Sequence, residues 1–219
     1  IVSIFVNPTQ FNNKKDFLKY PRNNKKDLLI LKKLNVNYVY IPSSKDIYSS
    51  KEKTKIKLKN KDKILCAKYR KGHFEGVIDV MGRLIKLIKP KKIFMGEKDF
   101  QQVYLVRNYT NEVYKNKIIS CKTIRDKNKL ALSSRNLFLN KKDLYKAGKI
   151  IQDLISFKNF LRNKKNTHKS IINKKNNLSK LFGTRVEYLE LRNKKNLKIS
   201  NKVENSKVFI AFYLNNIRL

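Results

Sequence analysis

The chain has 219 residues, room for one medium domain or two small ones, and 41% of them are apolar, enough to bury a core. Mean hydropathy is −0.58, yet regular apolar runs exclude a disordered chain, and none approaches the roughly 18 residues of a membrane helix. Lys and Arg number 53 against 16 Asp and Glu, for a net charge of +37, which read alone points to nucleic acid.

Residues 1–6 form an apolar, β-rich run closed by Asn7 and Pro8, which reads as a buried strand ending in a turn. Over 25–34, Leu28, Leu31 and Leu34 recur at helical spacing, and 38–41 reads as a second strand. Strand, helix and strand in that order favour a parallel unit. Residues 46–63, polar and Lys-rich, read as a loop. Val77, Val80, Met81, Leu84 and Ile88 predict an amphipathic helix that Pro90 ends. A short strand over 93–95 stops at Gly96, a helix carrying Val103, Val106 and Val113 on one side follows, and 118–124 is the next strand. This alternation predicts a doubly wound parallel α/β domain over residues 1–125. Helices over 141–161 and 169–181, then strands over 185–191 and 207–214, predict a small α+β domain over 126–219. The Lys/Asn-rich stretch 159–175 sits between these helical patterns.

Four segments carry chemistry, and three follow predicted strands, where open α/β sheets bind ligands. Asn7 and Gln10 offer neutral donors and acceptors, against the plainer reading of an Asx turn. Arg70, Gly72, His73 and Gly76 lead into the Val77 helix, whose free N–H groups favour an anion; a capping histidine is the alternative. Gly96, Glu97, Lys98, Asp99, Gln101 and Gln102 crowd one strand end: glycine admits a ligand close to the backbone, Lys98 suits phosphate, and Asp99 suits a hydroxyl or a metal. The competing reading makes Asp99 a helix cap. Ser133, Ser134 and Arg135 give two short donors and a bidentate fork, suited to polyphosphate. There is no Walker A loop, no GxGxxG and no metal-ligand spacing.

Together these segments resemble the pantothenate synthetase (pantoate–β-alanine ligase) family. The resemblance rests on the run from Ser3 to Phe11, on Tyr20, Pro21 and Arg22, on Gly72, His73 and Phe74, and above all on the run from Gly96 to Gln102 followed by Leu130 to Asn136. It implies a Rossmann-like, nucleotidyltransferase-type fold with a small C-terminal lid, a cytoplasmic homodimer, and Mg2+-ATP as co-substrate. Pantoate would be activated as an adenylate and captured by β-alanine. The resemblance makes Gln10, Gln102, Asn7, Arg70 and His73 pantoate-binding, with Gln10 also near β-alanine. Gly96, Glu97, Lys98, Asp99, Ile124, Leu132, Ser133, Ser134 and Arg135 would bind ATP, Lys98 and Arg135 countering charge in the reaction, and Asp27 is a candidate metal ligand.

Several positions depart from the family pattern. The segment bearing the family's ATP-binding histidines is expected upstream of Ile1, so a chain starting there is expected to have little activity. Leu65, Cys66 and Ala67 stand for Leu-Glu-Gly, Asn128 and Lys129 for Asp-Gly, Lys122 for Pro, and Asp79 for a small polar residue in a first helical turn. A member that keeps the fold without activity, or a basic nucleic-acid-binding module on the same scaffold, are the alternatives. Nucleic acid is not expected as a partner, because Lys is spread over nearly every polar segment and travels with abundant Asn and scarce Ala, as in an A-rich coding sequence. Cys66 and Cys121, isolated in sequence, fit a reducing cytoplasm.

Overall fold

The computed structural model describes residues 1–49, 56–163 and 167–219, and its chain divides into two units, Ile1–Lys122 and Thr123–Leu219. In the first unit β1 (Val2–Ser3) pairs in parallel with β2 (Val39–Tyr40), Val2 opposite Val39. Between them run a 3-10 turn (Pro8–Gln10), α1 (Lys14–Lys19) and α2 (Asn24–Lys33). A second parallel pair joins β3 (Lys92–Gly96) to β4 (Lys117–Cys121), with Ile93 opposite Ile118 and α6 (Phe100–Tyr114) as the crossover. The predicted parallel architecture is therefore present as two two-stranded sheets. β1 is shorter than expected and only half-buried, with Ile1 63% exposed.

Ahead of β3 come α3 (Ser44–Tyr48), a 3-10 turn (Asn60–Asp62), α4 (Cys66–Tyr69) and α5 (His73–Ile88). Part of the predicted loop over 46–63 is thus helical, and its residues 50–55 lie outside the described residues. α3 forms because Ser43 and Asp46 make a reciprocal capping box. α5 begins four residues before Val77, because Gly72 adopts φ +80° and turns the chain into the helix. Asp79 consequently lies beyond the first helical turn and pairs with Arg83 at 3.0 Å. Phe74, Val77 and Ile78 of α5 pack with Val103, Leu105 and Val106 of α6 and Ile118 of β4 to make the core of this unit. Val113, expected on the same face, is 65% exposed because it falls in the last turn of α6, beyond that core. α2 buries no residue: Leu28 of its apolar face and Leu34 at its C-cap remain exposed.

The second unit opens with an irregular hairpin bridged at Arg125 and Ala131, so the strand predicted over 118–124 ends at Cys121 and Ile124 falls outside it. A 3-10 turn (Ser134–Phe138), α7 (Lys141–Leu161), α8 (Thr167–Phe182) and the antiparallel strands β5 (Arg185–Asn193), β6 (Ser206–Leu214) and β7 (Ile217–Arg218) follow. Residues 164–166, within the Lys/Asn-rich stretch, lie outside the described residues. Ile150, Leu154 and Leu161 of α7 meet Leu178 of α8 and Val186, Leu189 and Phe212 of the sheet in a separate core.

Candidate active site

The turn after β1 is built around Asn7, which is 1% exposed. Its Nδ2 donates to the Gly76 carbonyl at 3.0 Å, and its Oδ1 accepts from the Thr9 N–H at 3.2 Å and the Tyr48 hydroxyl at 2.7 Å. A Cβ at Gly76 would lie 2.7 Å from the Thr9 carbonyl oxygen, so only glycine lets α5 approach this closely. Both ends of the Asn7 amide are engaged within the fold: the Asx-turn reading describes Asn7 better than a ligand contact does. Burial pushes the Tyr48 phenol above its ordinary range.

Gln10 ends that turn half-buried. Its backbone carbonyl accepts from His73 Nδ1 at 2.8 Å and from Arg70 Nη2 at 3.4 Å, while Arg70 Nη1 lies 2.8 Å from His73 Nε2. The tautomer follows from the partners. A guanidinium can only donate, so Nε2 accepts; a carbonyl can only accept, so Nδ1 carries the proton. His73 is thus a neutral imidazole linking Arg70 to the Gln10 turn, and its helix-start position serves this link.

At the end of β3, Gly96 has no heavy atom within 4 Å of where a Cβ would sit. Glu97 accepts from the Ser120 hydroxyl at 3.2 Å. Asp99 occupies the N-cap position of α6 but makes no side-chain cap bond, which removes the capping alternative. Its carboxylate, 63% exposed, instead meets Lys98 Nζ at 3.2 Å. Gln102 is half-buried in the first turn of α6. Gln101, to which the motif assigns no role, is 5% exposed and bonds the Cys66 N–H and the Ile64 carbonyl.

In the second unit, the Ile124 carbonyl accepts from the Leu132 N–H at 3.0 Å, leaving the Ile124 side chain 67% and the Leu132 side chain 55% exposed. Ser133 caps the following 3-10 turn by accepting from the Arg135 N–H at 3.3 Å, and Ser134 is exposed. Asp126 Oδ1 accepts from the N–H groups of Asn128 and Leu130, both at 2.9 Å, which fixes the hairpin. Lys129 stands there at φ +68°, the conformation that explains a glycine in the family pattern.

Asp27 sits in the first turn of α2, where a carboxylate complements the helix dipole. No group of three His, Cys, Asp or Glu side chains that could hold an ion occurs around it or elsewhere among the described residues. Arg22 of the Tyr20–Arg22 motif donates to the Phe17 carbonyl at 3.0 Å and covers the Phe17 ring at 4.6 Å, which gives that motif a packing role. Separately, a cavity of about 660 Å³ lined by Ile47, Ile78, Arg83, Tyr109 and Val113 contains none of the predicted site residues.

Comparison with known proteins gives this geometry its context. A family model described as pantoate-beta-alanine ligase matches residues 1–219. The pantothenate synthetase of Endomicrobium trichonymphae is 38% identical over all of this chain and 78% of its own length. That of Azobacteroides pseudotrichonymphae genomovar. CFP2 is 39% identical, over all of this chain and 80% of its own. Among solved structures, pantothenate synthetase from Thermus thermophilus superposes with a TM-score of 0.92 at 27% identity, covering 100% of this chain and 80% of that one. Pantoate-beta-alanine ligase from Francisella tularensis, complexed with beta-gamma ATP and beta-alanine, superposes at 0.80 with 35% identity, covering 100% and 76%. Fold and relatives together define an α/β ligase of the nucleotidyltransferase-like type, one that forms an amide bond. The chain belongs to the pantoate–β-alanine ligase family.

Proposed function

We propose that the protein condenses (R)-pantoate with β-alanine in two steps. The pantoate carboxylate oxygen attacks the α-phosphorus of ATP, and pyrophosphate leaves as the new P–O bond forms. The β-alanine amine then attacks the activated carbonyl, AMP departs, and the nitrogen releases a proton to solvent. No protein nucleophile is required, so the work of the site is positioning and charge neutralisation.

The observation that carries this reading is the end of β3. Asp99 is held at a cap position without capping, beside an exposed Lys98 and a Gly96 with open space over it. In this reading Gly96 and Glu97 bring backbone close to ATP, Lys98 offsets phosphate charge and Asp99 takes a hydroxyl. Leu132, Ser133, Ser134 and Arg135 are assigned to nucleotide binding as well, Arg135 through its fork, with Ile124 contributing backbone. Gln10, Gln102, Arg70 and His73 hold pantoate, and Gln10 also serves β-alanine. A divalent cation, Mg2+ in the family pattern, would be brought in by the ATP phosphates and would withdraw charge from the α-phosphate. A cytoplasmic homodimer belongs to the same proposal and rests on the family resemblance. Among the described residues no helix is long and apolar enough to cross a membrane.

The test is Lys98→Ala in the full-length protein. Loss of its charge in the transition state should lower kcat about 10²-fold or more, with the pantoate KM little changed. Activity within two-fold of wild type would remove Lys98 from the chemistry.

A further inference from the structure

Leu65 has φ +49° and ψ −128°. The Ala67 N–H bonds to the Ile64 carbonyl at 3.0 Å, closing a turn with Leu65 at its first central position. These angles are those of a type II′ turn, where glycine is the ordinary occupant. Leu65 is nevertheless 2% exposed, so a large buried side chain is held in a strained conformation. Strain of this kind persists only where the surroundings over-determine it.

The surroundings here are Gln101. From the first turn of α6, its Oε1 accepts from the Cys66 N–H at 3.0 Å, and its Nε2 donates to the Ile64 carbonyl at 2.7 Å and the Asp62 carbonyl at 3.4 Å. The amide therefore grips the peptide groups on both sides of Leu65. The gripped turn continues without a loop into α4, where the Arg70 N–H reaches the Cys66 carbonyl at 2.8 Å and the His73 N–H reaches the Arg70 carbonyl at 3.2 Å. The orientation of the Leu65–Cys66 peptide thus sets the register at which Arg70 and His73 meet the Gln10 carbonyl. One residue further along α6 stands Gln102. The first turn of that helix places one glutamine on the strained turn and the next on the proposed pantoate side.

We propose that Gln101 is a positioning residue for pantoate, clamping the strained Leu65 turn so that Arg70, His73 and Gln102 are ordered together. This rests on the reading that those residues hold pantoate. Gln101→Leu removes both halves of the clamp, whereas Gln101→Glu keeps the acceptor for Cys66 and replaces the donor. The full-length variants are assayed for pantoate-dependent pyrophosphate release, with separate KM values for pantoate and ATP, alongside thermal melting and a Gln102→Ala comparison. The expected result for Gln101→Leu is a pantoate KM raised at least about ten-fold with an ATP KM within about two-fold of wild type, and a smaller rise for Gln101→Glu. Folded Gln101 variants with an unchanged pantoate KM, while Gln102→Ala raises it, would overturn the clamp alone. Unchanged values in all three would overturn the pantoate reading beneath it. Parallel rises in both KM values, or failure of both Gln101 variants to fold, would reduce Gln101 to a stabilising residue.

Discussion

Asn7 and Lys129 each stand where a family motif meets a local physical demand. The Asn7 amide joins the turn after β1 to Gly76 of α5 and to Tyr48 of α3. Asn7→Ala would remove the second donor to the Gly76 carbonyl and the acceptor for the Thr9 N–H and the Tyr48 hydroxyl, the latter keeping Thr9 Oγ1 at 3.1 Å, a cost of about 0.5–1.5 kcal/mol per lost bond. Thermal melting should therefore show a clear loss of stability, not merely a weaker substrate KM. A melting temperature equal to wild type would return Asn7 to the ligand contacts. Lys129 sits at φ +68° in a hairpin held by Asp126. A lysine in the left-handed region costs roughly 1 kcal/mol relative to glycine, so Lys129→Gly is expected to raise stability in denaturant titration by about that amount. A loss would mean that the lysine side chain makes an offsetting contribution.

Elements differ in how much of their placement is written locally. α7 is legible to the residue, because Asn140 caps it and its apolar positions recur with helical spacing to Leu161. β5 and β6 are nearly as plain, the β-rich runs over 185–191 and 207–214 falling within Arg185–Asn193 and Ser206–Leu214. The periodicity of α5 starts four residues late, since the helix start depends on the left-handed Gly72 and not on apolar spacing. α3 and α4 escape sequence reading: a five-residue and a four-residue helix give periodicity nothing to repeat. At the end of α7, burial and the neighbouring Arg162, Lys207 and Lys194 pull the Lys158 ammonium below its ordinary range. The folded state therefore holds this proton less tightly than the unfolded state. The group weighs against folding at neutral pH, and the burden disappears as pH rises toward the ordinary value of 10.5. Lys158→Met is expected to raise the melting temperature at pH 7, by an amount that shrinks as the pH rises. A gain that is the same at every pH would show that packing, and not charge, is responsible.

For the whole molecule, charge and motif give opposite indications, and the motifs decide. A net charge of +37 reads as a nucleic-acid binder until its even distribution is noticed. The runs from Gly96 to Gln102 and from Leu130 to Asn136 are specific in order and spacing, and the family match over residues 1–219 agrees with them. What those motifs do not reveal is the division of labour inside them. Asn7 and Arg22 serve the fold, and Gln101 serves a turn 35 positions earlier in the chain. Such roles come from tertiary contacts across long sequence separations, to which local patterning is blind. The same limit hides the strain at Leu65, because nothing in an Ile-Leu-Cys sequence announces a glycine-type backbone. The central claim, that ATP activates pantoate before β-alanine enters, is tested most directly by single-turnover pyrophosphate release from the full-length protein. With ATP and pantoate but no β-alanine, about one pyrophosphate per site should appear, and AMP should follow only when β-alanine is added. Pyrophosphate release that does not require pantoate, or that waits for β-alanine, would contradict it.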